Sequence, residues 1–166
     1  MDAKDITPFV RSLGNVFSTM LQVHVTAEAP RLKCPTNPFF DVSGIIGLSE
    51  DVAGAVVLSF PSDTAERIVE LLGGVRLDVD DPDFADAVGE LVNMVAGGAK
   101  AEFEDRRISI SCPSVVVGAN HRVFQKKNSP IIEIPCDCEC GAFSLLVSMK
   151  PVGAAAAAEP DYQTVQ

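Results

Sequence analysis

The chain reads as an α+β domain: a largely antiparallel sheet covered by helices on one side. Three observations predict it. β-branched and aliphatic runs fall into two groups, one before residue 61 and one after residue 107. Segments of helical period stand before and between those groups. The connections within each group are too short for the crossover that parallel neighbours require.

The elements follow in order. Phe9, Leu13, Val16, Phe17 and Met20 recur at helical spacing after Asp5 and Thr7-Pro8, a capping residue and a proline suited to a first turn. Val23-His24-Val25 predicts a short strand, and Pro30, Pro35 and Pro38 then impose a loop. Phe39–Leu48 and Gly54–Phe60 predict an antiparallel hairpin across the polar connection Ser49-Glu50-Asp51-Val52-Ala53. Pro61-Ser62-Asp63 caps a second helix in which Ala65, Ile68, Val69 and Leu72 repeat, and Gly73-Gly74 ends it. A third helix, the longest, opens at Asp80-Asp81-Pro82 and runs to about Glu104. Four β segments follow, over Ile108–Val117, His121–Lys126, Pro130–Cys136 and Ala142–Met149, each bounded by Gly, Asn or Pro. The domain is thus expected over residues 1–150. Residues 151–166, with the run Ala154–Ala158 and no apolar period, are expected to form a disordered tail.

Composition narrows the partners. The 166 residues hold 13 Lys+Arg against 23 Asp+Glu, a formal charge of −10 that repels nucleic-acid phosphates and anionic lipid heads. Neither nucleic acid nor a membrane is expected as a partner. No apolar run has the length of a membrane span, and Met1-Asp2-Ala3-Lys4-Asp5 is unlike the start of an export signal, so the expected location is the cytoplasm. Five cysteines, an odd number, agree with thiols in a reducing compartment.

The third helix carries the functional argument. At about 100° per residue, Phe84, Val88, Leu91 and Val95 form the packing face, while Asp86, Glu90, Asn93 and Gly97 line the opposite, solvent-facing strip. A mid-helix Asn and the pair Gly97-Gly98 both lower helix propensity, the glycines by about 1 kcal/mol each. Glycine beyond Asn93 also clears the surface, so that another protein's backbone is able to approach Glu90 and Asn93. On periodicity alone, an ordinary solvated face accounts for the same residues.

Resemblance separates the two readings. Gly89-Glu90-Leu91-Val92-Asn93-Met94-Val95-Ala96-Gly97 with Ala99-Lys100, preceded by Ser43-Gly44-Ile45-Ile46-Gly47-Leu48-Ser49 and Gly54-Ala55-Val56-Val57-Leu58-Ser59-Phe60-Pro61, resembles the CheC/CheX/FliY family of chemotaxis phosphatases. The resemblance runs from about Asp5 to Lys150 and centres on Glu-x-x-Asn, here Glu90 and Asn93. CheC-like members carry that motif twice. The first helix here reads Ser12-Leu13-Gly14-Asn15 without the Glu, so the chain is similar to the CheX-like branch with one site. It departs from the family pattern at Glu50, where Gly is expected, and at Gly98, where Asn is common.

The resemblance implies a phosphatase for the aspartyl phosphate of a CheY-like response regulator. Asn93 would orient the attacking water and Glu90 would pair with the regulator's Lys. Asp86 and Gly97 would support docking. It implies no cofactor of the chain's own, Mg²⁺ being supplied by the phosphorylated regulator, and a homodimer joined through the sheet. A non-catalytic adaptor that binds a receiver domain through the same helix is the alternative.

Other groups read more simply. Cys136-x-Cys138-x-Cys140 would align three thiols on one side of a strand, as a metal site needs. It reads better as a strand end, a turn at Gly141 and a new strand, with small buried thiols. No metal site is expected. His121 is expected to be exposed in a turn, and Arg106-Arg107 and Lys126-Lys127 to be solvated loop charges.

Overall fold

The computed structural model describes residues 1–123 and 129–153. Helix α1 spans Ala3–Val16 and continues through a π-helical turn, Phe17–Leu21. Two short strands, β1 (Thr26–Ala27) and β2 (Arg31–Leu32), precede the hairpin β3 (Val42–Glu50) and β4 (Val52–Phe60). Helices α2 (Ser62–Gly73) and α3 (Pro82–Ala101) follow, and then β5 (Ile108–Ile110), β6 (Ser114–Val117), β7 (Ile132–Cys138) and β8 (Gly141–Pro151). All the strand pairings are antiparallel, in the order β1-β7-β8-β4-β3-β5, with β2 also on β7 and β6 also on β3.

One face of the sheet holds the main core. Val42, Ile46 and Leu48 of β3, Val56, Leu58 and Phe60 of β4, and Phe143, Leu145 and Val147 of β8 alternate onto it. Phe9, Leu13 and Phe17 from α1 and Phe84, Val88, Leu91 and Val95 from α3 close it from above. The opposite face is covered by loops: Phe39, Val57 and Leu146 form a second, smaller cluster there.

Local chemistry shifts several boundaries from those expected. α1 starts before Asp5, because Asp2 and Asp5 form a reciprocal capping box, and Pro8 lies inside the helix. The π turn adds a residue, so Leu21 is buried in place of Met20, which is 52% exposed. Val23 is buried without belonging to a strand, and the pairing starts at Thr26. Pro61 supplies no side-chain cap to α2; Ser62 instead donates both its backbone N–H and its hydroxyl to Asp41. The expected strand over 108–117 is interrupted at Ser111-Cys112-Pro113, and its two halves pair with opposite ends of β3. Residues 121–123 are not strand, and the rest of that expected segment, with Lys126-Lys127, lies outside the described residues. β8 runs to Pro151, which pairs with Val52; residues 154–166 of the expected tail also lie outside the described residues.

Candidate functional site: the exposed strip of helix α3

Helix α3 is fixed at both ends before any tertiary contact. Asp81 is its N-cap and accepts from the Asp83 amide at 2.9 Å, Pro82 occupies the first turn, and Lys100 lies at the negative end of the helix dipole. Three close approaches then seat it. Beneath, Gly44 of β3 lets the helix come close: a Cβ there would stand 3.0 Å from Val92 Cγ1, tighter than ordinary contact. On one flank, Gly89 abuts Pro113 and Val115 ahead of and within β6. On the other, Gly98 meets Ser12 of α1, whose hydroxyl donates to the Val95 carbonyl at 2.8 Å.

What these contacts leave open is the strip named above. Asp86, Glu90, Asn93 and Gly97 fall within about 60° of one another and extend about 16 Å along the axis. Asp86 and Glu90 are exposed, while Asn93 and Gly97 are half-buried, a correction to a strip expected to be solvent-facing throughout. Asn93 is thus partly covered while Glu90, one turn earlier, stands in solvent. No side chain of Asp86, Glu90 or Asn93 has a hydrogen-bond or ion-pair partner among the described residues. Elsewhere, exposed carboxylates such as Asp105 are engaged, here by Arg106 at 2.8 Å. The two glycines divide in role. Gly97 faces open space, whereas a Cβ at Gly98 would stand 2.3 Å from Ser12 Oγ, so Gly98 serves helix packing and not surface clearance.

The other candidates are placed differently. Cys138 ends β7 and Cys140 is in the turn, so the three thiols do not line one strand; Cys136 and Cys140 are buried and Cys138 half-buried. Among the described residues, no three His, Cys, Asp or Glu side chains gather where they could hold a metal ion. His121 is half-buried, not exposed: it stacks on Phe39, and its ring nitrogens lie 2.8 Å from the Gly118 carbonyl and from Ser43 Oγ. Arg106 is not a free loop charge. It bonds Asp5 at 2.9 Å and Asp105 at 2.8 Å and covers the Phe103 ring, and its hydrogen bond to Asp105 holds that carboxyl below the usual range. Arg107 is 82% exposed at the side chain. No helix among the described residues is long and apolar enough to cross a membrane.

The site is thus a carboxylate and an amide one turn apart on a glycine-seated helix over an antiparallel sheet, both unpartnered among the described residues. The family model for the chemotaxis phosphatase CheX matches residues 42–137, more than half of the chain, and the chain belongs to that family. It is 26% identical to the CheY-P phosphatase CheX of Thermotoga maritima over 138 residues, 81% of this chain and 88% of that one. A CheC-like superfamily protein from Shewanella sp. PV-4 superposes with a TM-score of 0.81 at 31% identity, covering 90% of this chain and 99% of the other. CheX from the CheX-CheY-BeF3-Mg complex of Borrelia burgdorferi shares the fold, with a TM-score of 0.73 at 23% identity over 87% of this chain and 97% of that one.

Proposed function

We propose that this chain hydrolyses the aspartyl phosphate of a CheY-like response regulator by inserting Glu90 and Asn93 into the regulator's active site. The observation that carries the reading is the unpartnered pair on a rigid, three-sided seat, in a chain of the CheX family. The Thermotoga relative's designation as a CheY-P phosphatase and the Borrelia complex with CheY support the choice of substrate.

An aspartyl phosphate is an acyl phosphate that is already charge-compensated by the regulator, so positioning is the main service left to supply. Asn93 is neither a strong base nor a nucleophile, but its carbonyl accepts from a water and its NH₂ donates to a phosphoryl oxygen. It holds the water in line with phosphorus. The water oxygen bonds to phosphorus as the bond to the aspartyl oxygen breaks; the aspartate leaves as carboxylate, and the water's proton passes to the phosphate product. Glu90, one turn earlier, pairs with the regulator's cation and fixes the insertion depth. Asp86 adds a docking carboxylate, and Gly97 leaves room for the partner's backbone. Mg²⁺ belongs to the regulator, and this chain brings no cofactor.

The working protein in this reading is a cytoplasmic homodimer joined through a sheet edge, either β1/β2 or β5/β6. The test compares decay of a labelled phospho-receiver with wild type and with the Glu90→Ala/Asn93→Ala protein. Acceleration by wild type and none by the variant is the expected result. Unaccelerated decay together with tight binding of a phosphorylated mimic favours the adaptor reading.

A further inference from the structure

The cysteine cluster plays no part in the phosphatase reading, yet its geometry is specific. β7 ends at Cys138, Glu139 and Cys140 form the turn, and β8 starts at Gly141, which is the register partner of Cys138. Residues two apart on an extended strand are separated by about 6.6 Å with parallel side chains, so Cys136 and Cys138 exceed the about 3.5–4.5 Å between Cβ atoms that a disulfide needs. The turn removes that obstacle for Cys138 and Cys140, which stand on either side of Glu139 at the bend and both pack into the main core, Cys138 Sγ donating meanwhile to the Gly141 carbonyl at 3.5 Å.

We propose that Cys138 and Cys140 form a reversible dithiol–disulfide couple, oxidised by a low-molecular-weight disulfide through exchange at Cys138.

The order of events follows from access. Cys138 is half-buried while Cys136 and Cys140 are buried, so a dissolved disulfide meets Cys138 first. Cys138 Sγ loses its proton to solvent and bonds to one sulfur of the oxidant, whose S–S bond breaks and releases one thiolate. Cys140 Sγ then loses its proton, bonds to Cys138 Sγ and displaces the second thiolate. The couple has given up two electrons, and the oxidant has become two thiols. Burial pushes the Cys140 thiol up to about 11, which keeps it inert towards dissolved oxidants until a leaving group stands beside it on Cys138. Cys136, also pushed up to about 11 by burial, is a bystander. The turn is anchored through the Cys140 carbonyl, which accepts from Arg67 at 3.2 Å, an anchor that does not engage the Cys140 side chain.

The test uses the full chain with Cys34→Ser and Cys112→Ser, which removes the two exposed thiols, incubated with oxidised glutathione and followed by alkylation and peptide mass mapping. Expected is a loss of about 2 Da, with Cys138 and Cys140 both protected from alkylation and both released by dithiothreitol. Cys140→Ser should stop at a mixed disulfide on Cys138, a gain of about 305 Da, and Cys138→Ser should prevent both products. A lasting glutathione adduct on Cys138 in the protein that retains Cys140 overturns the proposal, as does full alkylation of both thiols. Neither of those readings depends on a variant at the pair itself.

Discussion

Two helices of this molecule carry an Asn three residues after a polar side chain, and only one offers the pair to a partner. In α3 the pair is Glu90 and Asn93, unpartnered on an open strip. In α1 it is Ser12 and Asn15, and Ser12 is only 3% exposed, with its hydroxyl on the Val95 carbonyl and its Cβ against Gly98. Asn15 itself is exposed, and the hydroxyls of Ser18 and Thr19 donate to its backbone carbonyl at 3.1 Å and 2.7 Å, so what α1 lacks is a presented carboxylate three residues earlier and not an accessible amide. The same spacing therefore yields a working surface or a packing contact according to where the helix crosses its neighbour. The α1 position is closed because α3 needs it: the Ser12–Gly98 crossing is one of the three contacts that hold α3 in place.

Ser12→Glu breaks this comparison most severely. It restores the two-copy pattern in sequence, but it puts a carboxylate into the helix crossing and removes the bond to Val95. A loss of at least ~2 kcal/mol is expected in urea unfolding, with no second active site in the decay assay. The adjacent glycines sharpen the point. Gly97→Ala should raise stability by up to about 1 kcal/mol through helix propensity while slowing phosphatase turnover. Gly98→Ala gains the same propensity but turns Ser12 off its acceptor, so its unfolding free energy should fall below that of Gly97→Ala by about 1 kcal/mol.

Smaller effects come from outside the helices. Glu50 has a φ of 80°, in the left-handed region that glycine favours, at a position where the resemblance led to the expectation of Gly. Glu50→Gly should stabilise by about 0.5–1 kcal/mol, less whatever its contact with Ser109 contributes. Glu133, on the sheet face away from α3, is burdened by burial, yet the Arg31 hydrogen bond and the Lys33 charge bring its carboxyl below the usual range. A depressed carboxylate supplies stability above the ordinary glutamate range and loses it as pH falls through the lower folded value. Glu133→Gln should therefore lower stability at neutral pH and flatten the acid limb of a stability–pH profile.

How much of this was legible in the sequence depended on whether a residue's fate was settled locally. The start of α3 was legible because Asp81, Pro82 and the apolar period are local to it, although the helix ends at Ala101 and not near Glu104; the side of the helix that carries Glu90 and Asn93 was legible too, but not the half-burial of Asn93 and Gly97. The start of α1 was misplaced because Asp2 caps as well as Asp5, and both precede the apolar face. Met20 was assigned to the core because a π turn leaves no mark on a 3.6-residue period. Ser12 and Gly98 could not be matched, since 86 positions separate them and only the helix crossing joins them. His121 was read as exposed because its partner, Ser43, lies on a strand far away in the chain. The three thiols were rightly divided between a strand end and a turn, but the turn falls at Glu139-Cys140 and β8 already begins at Gly141, because Gly141 is the register partner of Cys138.

The central claim is that an amide's setting, and not its spacing, makes the site. Its most direct test is the decay rate of one labelled phospho-receiver with wild type, Asn93→Ala and Asn15→Ala, all three first shown to unfold within about 0.5 kcal/mol of one another. The account predicts a loss of acceleration on the order of 10²-fold for Asn93→Ala and wild-type acceleration for Asn15→Ala. Equal losses in both variants, or full activity in Asn93→Ala, would contradict it.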